Sequence, residues 1–195
     1  PMDLVEGENR DHPHHRGLWF THGDVNGVDF WMNETRDGNK GRVVLRKITA
    51  LESGKRQGVI AARFEWLGPK GEMLVNEDRR MVFYSDKKLR TIDFDITLIA
   101  VEKVKFGDTK EGTFAIRLAT PLEEPSPKSK GVTRTGKMVN ADGLETEKNV
   151  WGKRSAWVDY EGELEGEKLG IAILDHPSNP RHPTYWHSRG YGLFA

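Results

Sequence analysis

The chain has 195 residues, 30 basic and 30 acidic side chains and so no formal net charge, seven histidines and no cysteine. Charges spread along a neutral chain leave no basic footprint for nucleic acid or an anionic membrane surface. No apolar run approaches the length of a bilayer span, and the mean hydropathy is -0.67. Without cysteine there is no disulfide, thiolate metal ligand or thiol nucleophile, which suits cytosol and periplasm alike.

At this length a single domain, residues 1–195, is expected. The ends read as cut from a longer protein: the chain opens on Pro1-Met2-Asp3 and stops in the apolar run Tyr191-Gly192-Leu193-Phe194-Ala195. Residues 1–11 are polar and predicted to be extended. Pro13 pushes His12 toward the extended region and cannot donate to a ladder, so His12-Pro13-His14 is predicted as an edge or loop segment. In that geometry His12 and His14 face one way and His15 the other. Leu18-Trp19-Phe20 is predicted as a short buried strand. Asn26-Gly27 marks a tight turn, and Val28-Asp29-Phe30-Trp31-Met32 resumes an apolar pattern, giving a hairpin that carries aromatics beside the histidines.

From residue 42 the pattern is β almost throughout. Residues 42–51 and 57–67 are strand-like on either side of Ser53-Gly54-Lys55, and a turn at 68–71 leads to a strand over 72–84 with a charged middle. Ile92-Asp93-Phe94-Asp95-Ile96-Thr97-Leu98 alternates with a period of two, as a half-buried strand does. The Gly-bounded, charged segment 107–112 connects to a strand over 113–119. Residues 120–149, rich in Pro, Gly and Ser, read as a long irregular excursion. Strands over 150–160 and 168–174 follow, and no helical period lasts three turns. The predicted fold is all-β, an antiparallel β-sandwich.

The candidate chemistry lies at the two ends. All seven histidines fall in two windows, His12, His14, His15 and His22 in one and His176, His182 and His187 in the other, with none between His22 and His176. The expectation is that the windows meet in one polar, aromatic-lined site; the plain alternative is two unrelated loops opened by Asp-His-Pro. Imidazoles suit proton transfer near neutral pH, and His14, His15 and His176 are assigned that role. Arg16 and Arg181 would stabilise charge on an enolate, carboxylate or sugar oxyanion. On the 107–112 turn, Asp108 or Glu111 would act as the carboxylate partner, with Lys110 stabilising its charge; the competing reading is an ordinary charged hairpin. His12, His22, Lys110, Asn179, His182, Trp186, His187 and Arg189 are assigned to substrate binding. Trp186 is the preferred platform for a sugar ring, whereas Trp19 and Trp31 are first expected in the core.

A metal centre competes for the same histidines, because an extended His12-Pro13-His14 presents two ligands on one side. The glutamate that usually follows such a pair in β-barrel dioxygenases is replaced here by Arg16-Gly17-Leu18-Trp19, and nearby arginines oppose a divalent cation. Metal-free acid–base chemistry therefore ranks first, with no cofactor assigned. Asn33-Glu34-Thr35 fits a glycosylation acceptor but is too short a pattern to carry weight.

Five segments in order, Asp11 to Trp19, Val25 to Trp31, Gly107 to Gly112, Val150-Trp151-Gly152-Lys153-Arg154 and Asp175 to Pro183 with Tyr191-Gly192-Leu193-Phe194, resemble a bacterial family labelled PmoA-like, or methane oxygenase PmoA. The oxygenase activity is not carried over, since a membrane-embedded subunit needs spans this chain lacks. The resemblance implies a setting in carbohydrate catabolism and a fold similar to the galactose mutarotase-like sandwich. The function expected is a carbohydrate-active hydrolase, lyase or epimerase using histidine and carboxylate acid–base catalysis on a small-molecule or oligosaccharide substrate. A non-catalytic carbohydrate-binding or structural domain and a histidine-ligated metal enzyme are the alternatives.

Overall fold

The computed structural model describes residues 12–32, 38–127 and 131–195. The stretch 1–11, expected to be extended, and the Asn33-Glu34-Thr35 pattern lie outside the described residues. The chain folds as two compact units, one formed by residues 1–20 with 110–195 and the other by 21–109. No described helix is long and apolar enough to cross a membrane.

The second unit is built on four strands, β2 (Arg42–Glu52), β3 (Gln57–Leu67), β4 (Met73–Tyr84) and β5 (Ile92–Ala100), paired in sequence order as an antiparallel meander. The predicted alternation holds in β5: Phe94, Ile96 and Leu98 are half-buried while Asp93, Asp95 and Thr97 are exposed. The Asn26-Gly27 turn also forms. Both residues have positive φ, 54° and 79°, and Val25 and Val28 exchange backbone hydrogen bonds of 2.9 and 3.0 Å, the pattern of a type I′ turn. The strand expected over 28–32 does not form. Asp29 Oδ1 instead accepts the backbone N–H groups of Trp31 and Met32 at 2.8 and 3.1 Å and turns the chain, while Phe30 and Trp31 still reach the core.

The first unit opens with β1 (Leu18–His22), whose end leads into the second. It holds β6 (Gly112–Arg117), β7 (Lys137–Asn140), a single helical turn α1 (Glu147–Val150), β8 (Arg154–Ser155), β9 (Trp157–Leu164), β10 (Glu167–Leu174), β11 (Thr184–Tyr185) and β12 (Leu193–Phe194). They form the sheets β1-β6-β12, β10-β9-β7 and β11-β8, and the β6/β12, β7/β9, β9/β10 and β8/β11 pairs are antiparallel. The all-β expectation is met. The single strand expected over 150–160 is not, because α1 ends at Val150, Gly152 turns the backbone at φ 68°, and two strands follow. Along β9 the inward residues Val158 and Tyr160 join Leu118, Leu122, Met138, Val150, Trp186 and Phe194 in the core of this unit.

The excursion after residue 119 is therefore not shapeless. A 3-10 turn at Thr120–Leu122, β7 and α1 punctuate it, and Thr135 and Gly136 return backbone hydrogen bonds to Pro121 and Glu123. Gly136 passes so close to the backbone of Leu122 and Glu123 that a Cβ there would overlap main-chain atoms, which cannot rotate away. Gly136→Ala is expected to cost about 1–3 kcal/mol through forced backbone displacement. The check is the urea midpoint, and an unshifted midpoint would rule out the tight crossing.

Candidate functional site

The residues with chemical potential in the first unit start at the loop before β1. His12 C=O accepts His15 N at 3.0 Å across a turn with Pro13 in its second position, and Arg16 Nε donates to Pro13 O at 2.7 Å. This turn replaces the extended segment predicted for His12-Pro13-His14. All three imidazoles consequently pack together instead of alternating. The rings of His12 and His15 stack at 4.7 Å and 2°, and His14 meets His15 edge-on at 4.3 Å. His12 also stacks on Tyr191 at 5.0 Å, and His15 lies on Trp19 at 5.2 Å.

Arg117, at the end of β6, reaches this group: its Nη1 is 3.3 Å from His15 Nδ1. A guanidinium can only donate, so in this contact Nδ1 is the acceptor. The same guanidinium lies 5.2 Å from the centre of the Tyr191 ring. Behind it the buried carboxylate of Glu123 is shared between Arg117, at 3.5 Å, and Arg134, at 2.8 Å.

Tyr191 leads on to the C-terminal window. The Arg189 guanidinium lies 5.7 Å from the Tyr191 ring and 5.8 Å from that of Trp151. Trp151 meets His187 edge-on at 6.5 Å, and His187 Nδ1 stands 3.7 Å from Glu111 Oε2. The other oxygen of Glu111 is in contact with the Lys110 ammonium. Burial is the main influence on His187 and pushes its pKa below the ordinary imidazole value; Glu111 pulls it up, and the charges of Lys110 and Arg189 push it down again. His187 is thus a neutral, buried imidazole behind a carboxylate whose side chain keeps about 20% of its surface open.

The chain segment that carries Arg189 and Tyr191 is gripped from beneath. Glu147 Oε1 faces Arg189 Nε at 2.8 Å, and its Oε2 accepts Gly190 N at 2.6 Å. Tyr160 OH donates to Gly190 O at 3.1 Å and accepts Glu124 N at 3.2 Å. A Cβ at Gly190 would stand 3.1 Å from carboxylate oxygens of both Glu124 and Glu147, so only glycine fits there without a shift. Burial raises the pKa of Glu124, although it accepts the backbone N–H groups of Glu147 and Met138.

Of the residues singled out from sequence, His12, His14, His15, Lys110, Glu111, His187 and Arg189 form this continuous chain of ring and ionic contacts. Arg16 is exposed on the same turn as the histidines. The second window divides. Residues 175–184 fold onto themselves: Asp175 holds His182 Nδ1 at 2.7 Å, Asn179 Nδ2 at 2.8 Å and Thr184 N at 3.0 Å, while His176 Nδ1 accepts Ser178 N. Arg181 is exposed with φ 65°, and its carbonyl accepts from Arg154. Trp186, expected as a platform, is instead 3% exposed in the core, with Nε1 donating to Ser155 O at 2.9 Å. His22 and Asp108 belong to the other unit. There His22 is buried, accepts Asp24 N through Nδ1 and meets Phe106 edge-on, and burial lowers its pKa, whereas Asp108 is exposed.

Three contributors went unassigned in the sequence. Arg117 was signalled by its place as the only charge in Phe114-Ala115-Ile116-Arg117-Leu118, Tyr191 by the glycines that bracket it, and Trp151 by nothing beyond its neighbours. Among the described residues no group of three or more His, Asp or Glu side chains has the geometry to hold a metal ion.

A family model described as a family of unknown function (DUF6807) matches residues 3–195. No curated protein and no solved structure matches the chain.

Proposed function

The chain belongs to this family of unknown function, which assigns no activity, and from the site itself we propose a carbohydrate-active enzyme that works by acid–base catalysis without a resident metal. The observation that carries the reading is the Glu111–His187 pair: a partly open carboxylate with an ammonium on one oxygen and a buried neutral imidazole 3.7 Å from the other. Glu111, partly open and in contact with the Lys110 ammonium, is placed to accept a proton from a hydroxyl, a water or an acidified C–H. Trp151, 42% exposed, supplies a flat face suited to the C–H side of a sugar ring.

In such a reaction Glu111 takes the proton and an imidazole of the His12–His15 turn, starting as imidazolium and ending neutral, returns one, to the departing oxygen in a hydrolase or lyase and to carbon in an epimerase. On an oxidised sugar the same pair would perform an elimination, with an arginine holding the enolate. The resemblance to PmoA-like proteins and to the galactose mutarotase-like sandwich supports a sugar as the substrate, and both likenesses are part of the proposal.

The test is incubation of the full chain with a panel of glycosides, oligosaccharides and keto-sugars in deuterated water, followed by NMR. New reducing ends, unsaturated products or deuterium at a ring carbon are expected. Saturable binding with no product from any of them would favour the non-catalytic carbohydrate-binding domain. Activity lost on chelation and restored by one metal would favour the metal enzyme, for which the described residues offer no ligand set.

A further inference from the structure

We infer that the apolar face of the β2–β5 sheet is the interface of a homodimer, in which a second copy of the chain lays the same face against it.

The register assigns each side chain of the sheet to one of two faces. On one face Leu51 of β2 stands opposite Ile60 of β3, Ile60 opposite Met81 of β4, and Met81 opposite Phe94 of β5, an unbroken apolar row across four strands. Ile48 and Leu45 open the next two rows. Among the described residues the only charged side chains on this face are Glu77 and Arg79, which pair with each other. The opposite face carries the cross-strand ion pairs Arg63–Asp78, at 2.9 Å, and Arg80–Asp95, at 3.5 Å, and is the solvent side. An antiparallel sheet with one solvated face packs the other against something apolar.

Phe30 and Phe106 cover one end of the apolar face, where their rings meet that of Trp66 at 5.0 and 6.2 Å. Along the β2 edge Leu45, Ile48 and Leu51 keep 52, 54 and 75% of their surface exposed. Four strands about 4.8 Å apart and nine residues rising about 3.3 Å each give a flat footprint of roughly 500 Å². Side-chain relief brings that to about 600 Å² per partner, the size at which specific interfaces begin.

Composition selects the occupant. Transient partners meet through surfaces about as polar as the rest of a protein, whereas a face apolar throughout resembles a domain core cut in half, as in permanent assemblies and homodimers. Twofold pairing is the commonest of these, and it lets two identical twisted sheets stack with their strands about 30° apart. The edge offers no other route for a second copy. β2 shifts register on β3 at Arg46 and again at Thr49, and a strand bulged in this way resists the addition of another.

The experiment is sedimentation equilibrium of the full chain, of the double variant Ile48→Asp with Leu51→Asp, and of Thr97→Lys, which alters an exposed position on the charged face. The parent and Thr97→Lys are expected at twice the 22.2 kDa of one chain. Each aspartate enters a twofold interface twice as an unpaired carboxylate, so the double variant should dissociate more than about a hundredfold more readily. A parent that stays monomeric would overturn the inference, and so would a dimer that survives both aspartates or is lost equally in Thr97→Lys. The chain has no cysteine, so Leu51→Cys and Thr97→Cys each place a single thiol on one face. A thiol reagent should label Leu51→Cys at least tenfold more slowly at high protein concentration than at low, and Thr97→Cys at one rate throughout. Labelling of Leu51→Cys that ignores concentration would overturn the inference even where the aspartate variant fails to fold.

Discussion

Glu111→Gln is expected to lower kcat on any substrate the sugar panel yields by about 10²–10⁴-fold, the usual contribution of a positioned proton acceptor. The amide keeps the shape and the contact with Lys110 but cannot take up a proton at neutral pH. Its circular dichroism and thermal midpoint should match those of the parent, because Glu111 sits at the edge of β6 with part of its surface open. Activity within tenfold of the parent would remove Glu111 from the chemistry and with it the central element of the proposed mechanism.

The same substitution has a second readout that needs no substrate. Burial lowers the pKa of His187 and Glu111 opposes that shift, so removing the carboxylate charge should move the His187 titration, followed by NMR, to still lower pH. The sign for stability follows from linkage. A group whose folded pKa lies below its unfolded value binds fewer protons when folded, so its contribution is complete above the ordinary imidazole value of 6.5. It is lost as pH falls through the window beneath that value. Glu111→Gln widens the window and should make the protein more acid-sensitive there. An unchanged or raised His187 titration would show that the two side chains do not sense each other.

Legibility in the sequence followed the range of the interactions. Strands set by local alternation, such as 57–67 and 92–98, and the Asn26-Gly27 turn were readable because side-chain period and backbone preference act over a few residues. The strand over 28–32 failed because one carboxylate, Asp29, captured two backbone donors, a local bond that composition does not reveal. The site was readable in part for the same reason. His12, His14 and His15 advertise themselves by type and spacing, yet their packing depends on Tyr191 and Arg117, more than 100 residues away in sequence. The split of the second window was hidden as well: Asp175 keeps His182 and Asn179 within its own turn, whereas His187 and Arg189 lie beyond the core residue Trp186.

In the second unit, Glu77→Ala is expected to cost about 3–5 kcal/mol, the range for breaking a buried ion pair from one side. Glu77 is fully buried in the middle of β4, where a strand pattern alone would place a hydrophobe. One of its oxygens meets Arg79 Nε and Nη2, both at 2.6 Å, and the other accepts Trp66 Nε1 at 2.8 Å. The Arg79 guanidinium in turn lies over the Phe64 ring at 4.4 Å. Alanine removes the carboxylate while the largely buried guanidinium and the indole N–H that faced it stay behind. A loss of this size is about a third or more of the stability of an ordinary domain. Glu77→Gln keeps the volume and one acceptor oxygen and should cost less, about 1–3 kcal/mol. The pair Glu77→Leu with Arg79→Met removes both charges and should recover much of the alanine loss, because apolar side chains of similar volume commonly replace a buried pair without penalty. It should stay below the parent by the bond that Trp66 no longer makes. Urea unfolding followed by tryptophan emission ranks the four proteins. Glu77→Ala within 1 kcal/mol of the parent, or the double variant less stable than the single, would mean that the carboxylate is not what holds β3 to β4 at this point.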